Sequence, residues 1–356
     1  MVAITSDMTR LEGDRSHRAR WLCLLLVLVL ISAGVFSLGW GASGTSLARV
    51  LADLIAGREI AAQDRIIILD IRLPRLIMGV LVGASLAVSG AVMQGLFRNP
   101  LADPGLVGVS AGASLGAISA IVLASALPVS VAAFFGWYLV PVAAFTGGWV
   151  SMMVLYRIAT RSGRTSIATM LLAGIVLGAL TGAISGVLVY IADDRQLRDL
   201  TFWGLGSLAG SNWVKVMAAA PVICAALAFA PMLARGLNGL ALGEAAAGHT
   251  GIRVQRVKNL AIITVSAATG AAVAASGGIG FVGIVVPHLL RLATGPDHRW
   301  LLINAGLLGA TMLILADVIS RTIIAPAELP IGIITAILGG PVFLWILLRN
   351  RGVIDL

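Results

Sequence analysis

The sequence is a succession of apolar runs, each roughly 20 residues long and bounded by charge, proline or glycine clusters, and this pattern alone removes most folds from consideration. A hydrocarbon core about 30 Å thick is crossed by roughly 20 helical residues at a rise of about 1.5 Å each. Runs of this kind lie near residues 21–39, 73–96, 104–126, 133–157, 166–191, 213–234, 259–277, 280–294, 300–319 and 330–348. With 59% hydrophobic and 12% charged residues over 356 positions, ten crossings with short connections use the whole length and leave no room for a soluble domain. The expected fold is an all-α integral membrane protein. It consists of a cytoplasmic tail over residues 1–20 and a single transmembrane domain over 21–356.

Charge sets the orientation. The formal net charge of +9 comes from basic residues scattered singly between apolar runs, not from a basic and aromatic surface suited to nucleic acid. If the N-terminus is cytoplasmic, the inner loops carry Arg98, Arg157, Arg161, Arg164, Arg235, Arg253, Arg256, Lys258, Arg291, Arg299, Arg349 and Arg351. This satisfies the positive-inside rule and places both termini in the cytoplasm. Arg49, Arg58, Arg65, Arg72, Arg75 and Arg321 then fall on the wrong side, several at the very ends of spans. Arg10, Arg15, Arg18 and Arg20 ahead of the run from Trp21 resemble a signal peptide, but the run is nearly long enough to span and nothing soluble follows for export. A retained first helix is expected.

Two segments repeat: Gly83-Ala-Ser-Leu-Ala-Val-Ser-Gly90 in the second span and Gly270-Ala-Ala-Val-Ala-Ala-Ser-Gly277 in the seventh. The topology makes them cross in opposite directions, the mark of an inverted-topology repeat around a central pathway. Low complexity also produces such matches by chance. Glycines recur every fourth residue at Gly108, Gly112 and Gly116 in the third span and at Gly174, Gly178, Gly182 and Gly186 in the fifth. Each set forms a smooth stripe on one helix face, favouring close helix packing over a pore-lining role for any one glycine. A stripe at a subunit interface could serve both ends.

Few residues offer chemistry. Asp317 lies in apolar surroundings with Arg321 one turn later, which reads either as a structural ion pair or as part of a proton or substrate relay. No second intramembrane carboxylate is evident, which weakens the relay. His17, His249, His288 and His298 lack partners at metal-ligand spacing, so no metal site is expected, and Cys23 and Cys224 read as small core residues. No phosphate-binding GxxxxGK[ST] loop is present and the only lysines are Lys215 and Lys258, so this chain is not expected to hydrolyse ATP. The longest inner connection, Arg235 to Lys258, is an Ala-rich, glycine-punctuated stretch bearing Glu244, suited to present a short helix to a cytoplasmic partner or to lie on lipid headgroups.

These residues carry a resemblance. Arg72-Leu-Pro-Arg75, SGAVMQGLFRNPLADPGLVGVSAGA from Ser89 to Ala113, ALGE from Ala241 to Glu244, GGIGFVGIVVPHLLR from Gly277 to Arg291, LADVISR from Leu315 to Arg321 and ELPIG from Glu328 to Gly332 together resemble the permease subunits of type II ATP-binding-cassette importers for cobalamin, siderophores and haem. The resemblance runs from about Leu69 to Arg349. It implies a bacterial inner-membrane homodimer of ten-helix subunits, two copies of a cytoplasmic ATPase, and cargo delivered by a periplasmic binding protein. Arg72 and Arg75, and less closely Arg321, match arginines that pair with carboxylates on the binding protein, which would explain why they break the positive-inside rule; headgroup snorkelling is the alternative. Ala241, Leu242, Gly243, Glu244, Ala245 and Gly248 match coupling helices that seat in the ATPase. Ser166, Thr169, Met170, Leu171, Gly174, Gly178 and Gly182 match the helix that lines the pathway and carries the inner gate.

The outer segment from Tyr190 to Trp203 is closest in pattern to haem permeases, so haem is the expected cargo, with a ferric siderophore or cobalamin as alternatives. No stably bound cofactor is implied; ATP acts through the partner. An ion-gradient-driven secondary transporter is the rival of another class, and it would need intramembrane carboxylates beyond Asp317.

Overall fold

The structure, a computed structural model, describes residues 15–41, 45, 47–162 and 164–349. Arg10 and Arg351 lie outside the described residues, as do the side chains of Arg164 and Arg349. The expected all-helical chain is what the structure shows, with one two-stranded ribbon among the described residues. The order begins with α1 (Ser16–Gly39), α2 (Leu47–Ile55) and α3 (Ala62–Arg65), which continues through a π-helical stretch (Ile66–Arg72) into α4 (Leu73–Phe97). Next come α5 (Val109–Leu123), α6 (Val129–Phe135), α7 (Leu139–Ala159), the ribbon β1 (Thr160–Arg161) and β2 (Arg164–Thr165), α8 (Ile167–Ile191) and α9 (Asp194–Gly204). The remainder is α10 (Trp213–Phe229), α11 (Ala234–Ala241), α12 (Glu244–His249), α13 (Val254–Ser276), α14 (Val282–Thr294), α15 (His298–Thr322) and α16 (Ile331–Arg349). Among the described residues 8 helices are long and apolar enough to cross a membrane, and α14 and α16 are shorter apolar helices where the remaining two spans were expected. Helix α1 starts at Ser16, ahead of the expected start at Trp21.

Small residues decide which helices touch. In lipid, apolar side chains gain little by leaving one apolar phase for another, so close backbone approach and van der Waals contact do more of the work. A Cβ on Gly83 would overlap the Gly309 carbonyl oxygen, and one on Gly309 would overlap Ala87 and the Gly83 carbonyl, so α4 and α15 meet backbone to backbone. Gly90 meets Gly283 of α14 in the same way. Helix α4 is therefore the axis of the bundle: 83% of the apolar window of Ala62–Phe97 is buried, against 17% for α8. Met78, Met93, Leu301 and Leu313 fill the space around it.

The glycines of the third span behave as expected: Gly112 and Gly116 abut Gly147 and Ala143 of α7, and the Ser151 hydroxyl donates to the Gly108 carbonyl at 2.7 Å.

The repeated segments lie on α4 and α13, both mostly buried and packed against each other. Their directions follow from their ends. Arg98, just after α4, lies beside Gly243, while Lys258 in the first turns of α13 holds Glu244, so the end of one and the start of the other share one face of the bundle. The two segments cross antiparallel, as an inverted repeat requires. That face, called the basic end below, also gathers the starts of α1 and α15, where Asn304 donates to the Ala19 carbonyl at 3.2 Å. The far end holds the finish of α1, the start of α4 and the finish of α15.

Candidate functional site

Three clusters gather polar side chains at the ends of the bundle, and two of them share the basic end. The first is the connection between α10 and α13. Helix α11 stops at Ala241, and Gly243 turns the chain with a φ of +104°, a region unfavourable to side chains, so that α12 starts anew at Glu244. Ala247, fully buried, pins α12 to the bundle. Ala241, Leu242, Glu244, Ala245 and Gly248 all face outward, Leu242 being 74% exposed, and Gly243 is half-buried among them. The six residues expected to contact a partner therefore form one surface. Beside it a cleft of about 620 Å³ is lined by Arg15, Asn238, Leu242, Arg291, Asp297 and Trp300. Glu244 is held from below by Lys258 at 2.7 Å.

The second cluster begins α8. Ser166 is its N-cap, accepting from the Thr169 amide at 3.3 Å and the Thr169 hydroxyl at 3.0 Å, which satisfies amide groups the helix start leaves free. Ser166 and Thr169 are exposed, Leu171 is half-buried against the core, and Met170 and Gly174 are buried. Met170 and Gly174 thus lie on the packed side of α8, not on its open face. Further along, a Cβ on Gly178, Gly182 or Gly186 would meet nothing within 4 Å. The α5 and α8 stripes share their spacing, but among the described residues Gly178, Gly182 and Gly186 have no neighbouring helix, which leaves that part of the α8 stripe free for packing at a subunit interface. Around the open stripe, Leu172, Ile175, Val176 and Leu180 are also uncovered.

The third cluster is at the far end, where the structure adds a closer partner to the expected pairing of Asp317. Its carboxylate is gripped by Arg75, whose Nε lies 2.9 and 3.1 Å from the two oxygens and whose second nitrogen is 2.9 Å from Oδ1. Arg75 also reaches Glu328 at 2.8 Å. Arg321, the partner expected from helical spacing, also pairs with it, at a longer 3.8 Å, and donates through another nitrogen to the Ser37 carbonyl at 2.6 Å and hydroxyl at 2.9 Å. Arg72 donates to the Leu38 carbonyl at 2.5 Å. The fork of Arg75 matches a carboxylate better than one stretched contact along a helix does, while Arg72 and Arg321 cap the last carbonyls of α1. All three arginines are consequently buried, at 4%, 6% and 8% exposure for Arg72, Arg75 and Arg321. They do not stand on the surface as free rim charges; Glu328 is the exposed member of the cluster.

Two further residues depart from the sequence reading. Asp103, in the connection between α4 and α5, is a second enclosed carboxylate: it lines a cavity of about 360 Å³ with Thr269 and Gly283, accepts from the Gly105 amide at 2.7 Å, and burial raises its pKa. The Asn-Pro-Leu-Ala-Asp-Pro stretch reads as a polar loop, and nothing local shows that the loop folds inward. His298 is not in an open loop but starts α15, buried against Gly95 with its Nδ1 2.8 Å from Asn238. No group of three or more potential metal ligands occurs among the described residues.

An apolar bundle closed by glycine contacts, with 8 helices among the described residues long and apolar enough to cross a membrane, is that of a multi-pass membrane protein. The chain belongs to the FecCD transport family, whose pattern matches residues 18–349. It is 46% identical to the hemin transport system permease protein HmuU of Yersinia pestis, over 80% of this chain and 83% of that one. It is 45% identical to the cobalamin import system permease protein BtuC of Halobacterium salinarum, over 81% of this chain and 75% of that one. Among solved structures it is similar to a metal-chelate type ABC transporter in an inward-facing conformation, with a TM-score of 0.80, 32% identity, and coverage of 91% of this chain and 97% of the other.

Proposed function

We propose that this chain is the membrane subunit of an importer powered by a separate ATPase, and that it moves an iron-containing chelate, haem, from a periplasmic binding protein into the cytoplasm. The observation that carries the reading is the outward surface of Ala241, Leu242, Glu244, Ala245 and Gly248 at the basic end. It is a rigidly footed, partly apolar platform that a cytoplasmic partner can seat on. The open face of α8 supports a homodimer with the pathway between two copies, since a glycine stripe in lipid without a neighbour is a vacant packing surface. Haem rests on the pattern of the Tyr190–Trp203 segment, of which α9 forms the larger part at the far end, and on the similarity to HmuU. The similarity to a cobalamin permease is almost as high and favours the second reading, cobalamin. A ferric siderophore is the third.

The test is uptake by proteoliposomes holding this chain and its ATPase, with haem, cobalamin or a ferric siderophore each offered on its own binding protein. ATP-dependent uptake of haem is the expected result. Uptake of another cargo alone overturns the substrate, and uptake without the ATPase overturns the mechanism.

Docking of the binding protein falls in this proposal to the far-end cluster. With the arginines buried, incoming carboxylates would compete with Glu328 for Arg75 and with the α1 carbonyls for Arg72. Arg72→Glu is expected to weaken association with the binding protein by about ten-fold and to flatten its salt dependence, as removing a steering charge does. Affinity unchanged in folded protein would leave Arg72 only the task of holding α1.

A further inference from the structure

The first turns of α13 tie the partner-facing platform to the start of α8. Lys258 has a side chain only 5% exposed, and its ammonium group is shared between the Glu244 carboxylate at 2.7 Å and the Thr165 carbonyl at 2.9 Å. Glu244 opens α12; Thr165 closes the β1–β2 ribbon and is followed directly by Ser166, the cap of α8. One helical turn earlier, Gln255 grips the same threonine twice, accepting from its amide at 2.9 Å and donating to its hydroxyl at 2.6 Å. Gln255 is braced in turn by Asn259, to which it donates at 2.7 Å. The ribbon itself is pinned by the Ser166 amide donating to the Ala159 carbonyl at 2.9 Å. A buried lysine in an apolar protein is costly unless it is engaged, and here its two acceptors belong to two different elements, the platform and the ribbon ahead of α8.

We infer that Lys258, with Gln255, is the positioning link that transmits displacement of the Glu244 platform to the Ser166 end of α8, so that these two residues set the ratio of transport to ATP hydrolysis. The inference rests on the importer reading above. Its physical content is connectivity. Glu244 and Thr165 are held through one ammonium group, so a shift of α12 changes the position of the ribbon without passing through the bulk of the bundle. Neither residue belongs to the outward platform, and Gln255→Leu leaves the Lys258–Glu244 pair in place.

The experiment uses the full chain assembled with its ATPase and binding protein in proteoliposomes, reading ATP hydrolysis and haem uptake from the same preparation. Lys258→Met is expected to lower uptake per ATP by about ten-fold, as losing one charge-assisted link does, while hydrolysis stays within about two-fold. Lys258→Arg, which keeps charge and donors, should restore most of the ratio. Gln255→Leu loosens only the ribbon side and should lower the ratio in the same direction while Glu244 stays in place. A purely structural role would reduce assembled complex, uptake and hydrolysis together and leave their ratio unchanged. That parallel loss, or an unchanged ratio in both Lys258→Met and Gln255→Leu, overturns the inference. Failure of the importer reading would look different, because the unsubstituted chain would then show no ATPase-dependent uptake at all.

Discussion

Asp317→Asn is expected to destabilise the folded chain by about 3–5 kcal/mol, because it removes one partner from a buried ion pair and leaves the other behind. The Arg75 side chain is 7% exposed and donates three short contacts to the Asp317 carboxylate. Glu328 remains after the substitution, but its side chain is 37% exposed and solvated, which makes it the weaker counter-charge. Asparagine preserves size and offers one acceptor, so the loss isolates charge from volume. Unfolding monitored by loss of helical signal in mild detergent checks it. A companion variant in which Arg75 and Asp317 are replaced together by Met and Leu should recover part of the loss, since the buried Arg75 charge leaves with its carboxylate while Arg321 keeps only the Ser37 oxygens. If the single and double variants melt alike, the carboxylate is not what holds the cluster together.

The second large effect is steric. Gly90→Leu should prevent accumulation of folded protein, whereas Gly182→Leu should leave the stability of the isolated chain nearly unchanged. At Gly90 even a Cβ collides with the Gly283 carbonyl oxygen, and neither atom can yield without parting α4 from α14. Inserting single methylene groups into well-packed cores already costs about 1–3 kcal/mol, and a branched side chain against backbone costs more. At Gly182 the same side chain enters open space. Its effect should fall on self-association, measured by the mass of the detergent-solubilised particle, and on uptake. A Gly182→Leu chain that misfolds would show that the α8 face is covered from within the chain after all.

The contrast between these glycines shows where sequence reasoning stops. Spacing places a stripe on one face of a helix, and it did so correctly in both α5 and α8; what lies opposite the face is a property of the whole bundle. The spans were legible because length and hydropathy in a bilayer act locally, and the ends of α4, α13 and α15 fall close to their expected positions. The orientation of the repeat was legible for the same reason, since direction follows from counting crossings. The pairing of Asp317 was legible only for its longer contact, to Arg321. Arg321 is 4 positions away on the same helix, while Arg75 is 242 positions away, and local geometry gives no reason to prefer the distant fork. The wrong-side arginines did single out the far-end cluster, though not their burial. Asp103 and Lys258 were harder still, because a charged residue beside a proline or at a helix start looks solvated until the fold encloses it.

The way α1 is fastened constrains how the protein is made. Its two ends are held by Asn304 and Arg321, which lie 285 and 284 positions beyond the backbone groups they bind. At a synthesis rate of roughly 5–20 residues per second, those partners reach the membrane tens of seconds after α1 does. In that interval α1 is tied at its far end only to the start of α4, where Arg72 holds the Leu38 carbonyl, and the guanidinium of Arg75 waits for its carboxylate. The contacts that close the first helix onto α15 therefore form late, and the far-end cluster is complete only once nearly the entire chain has been inserted.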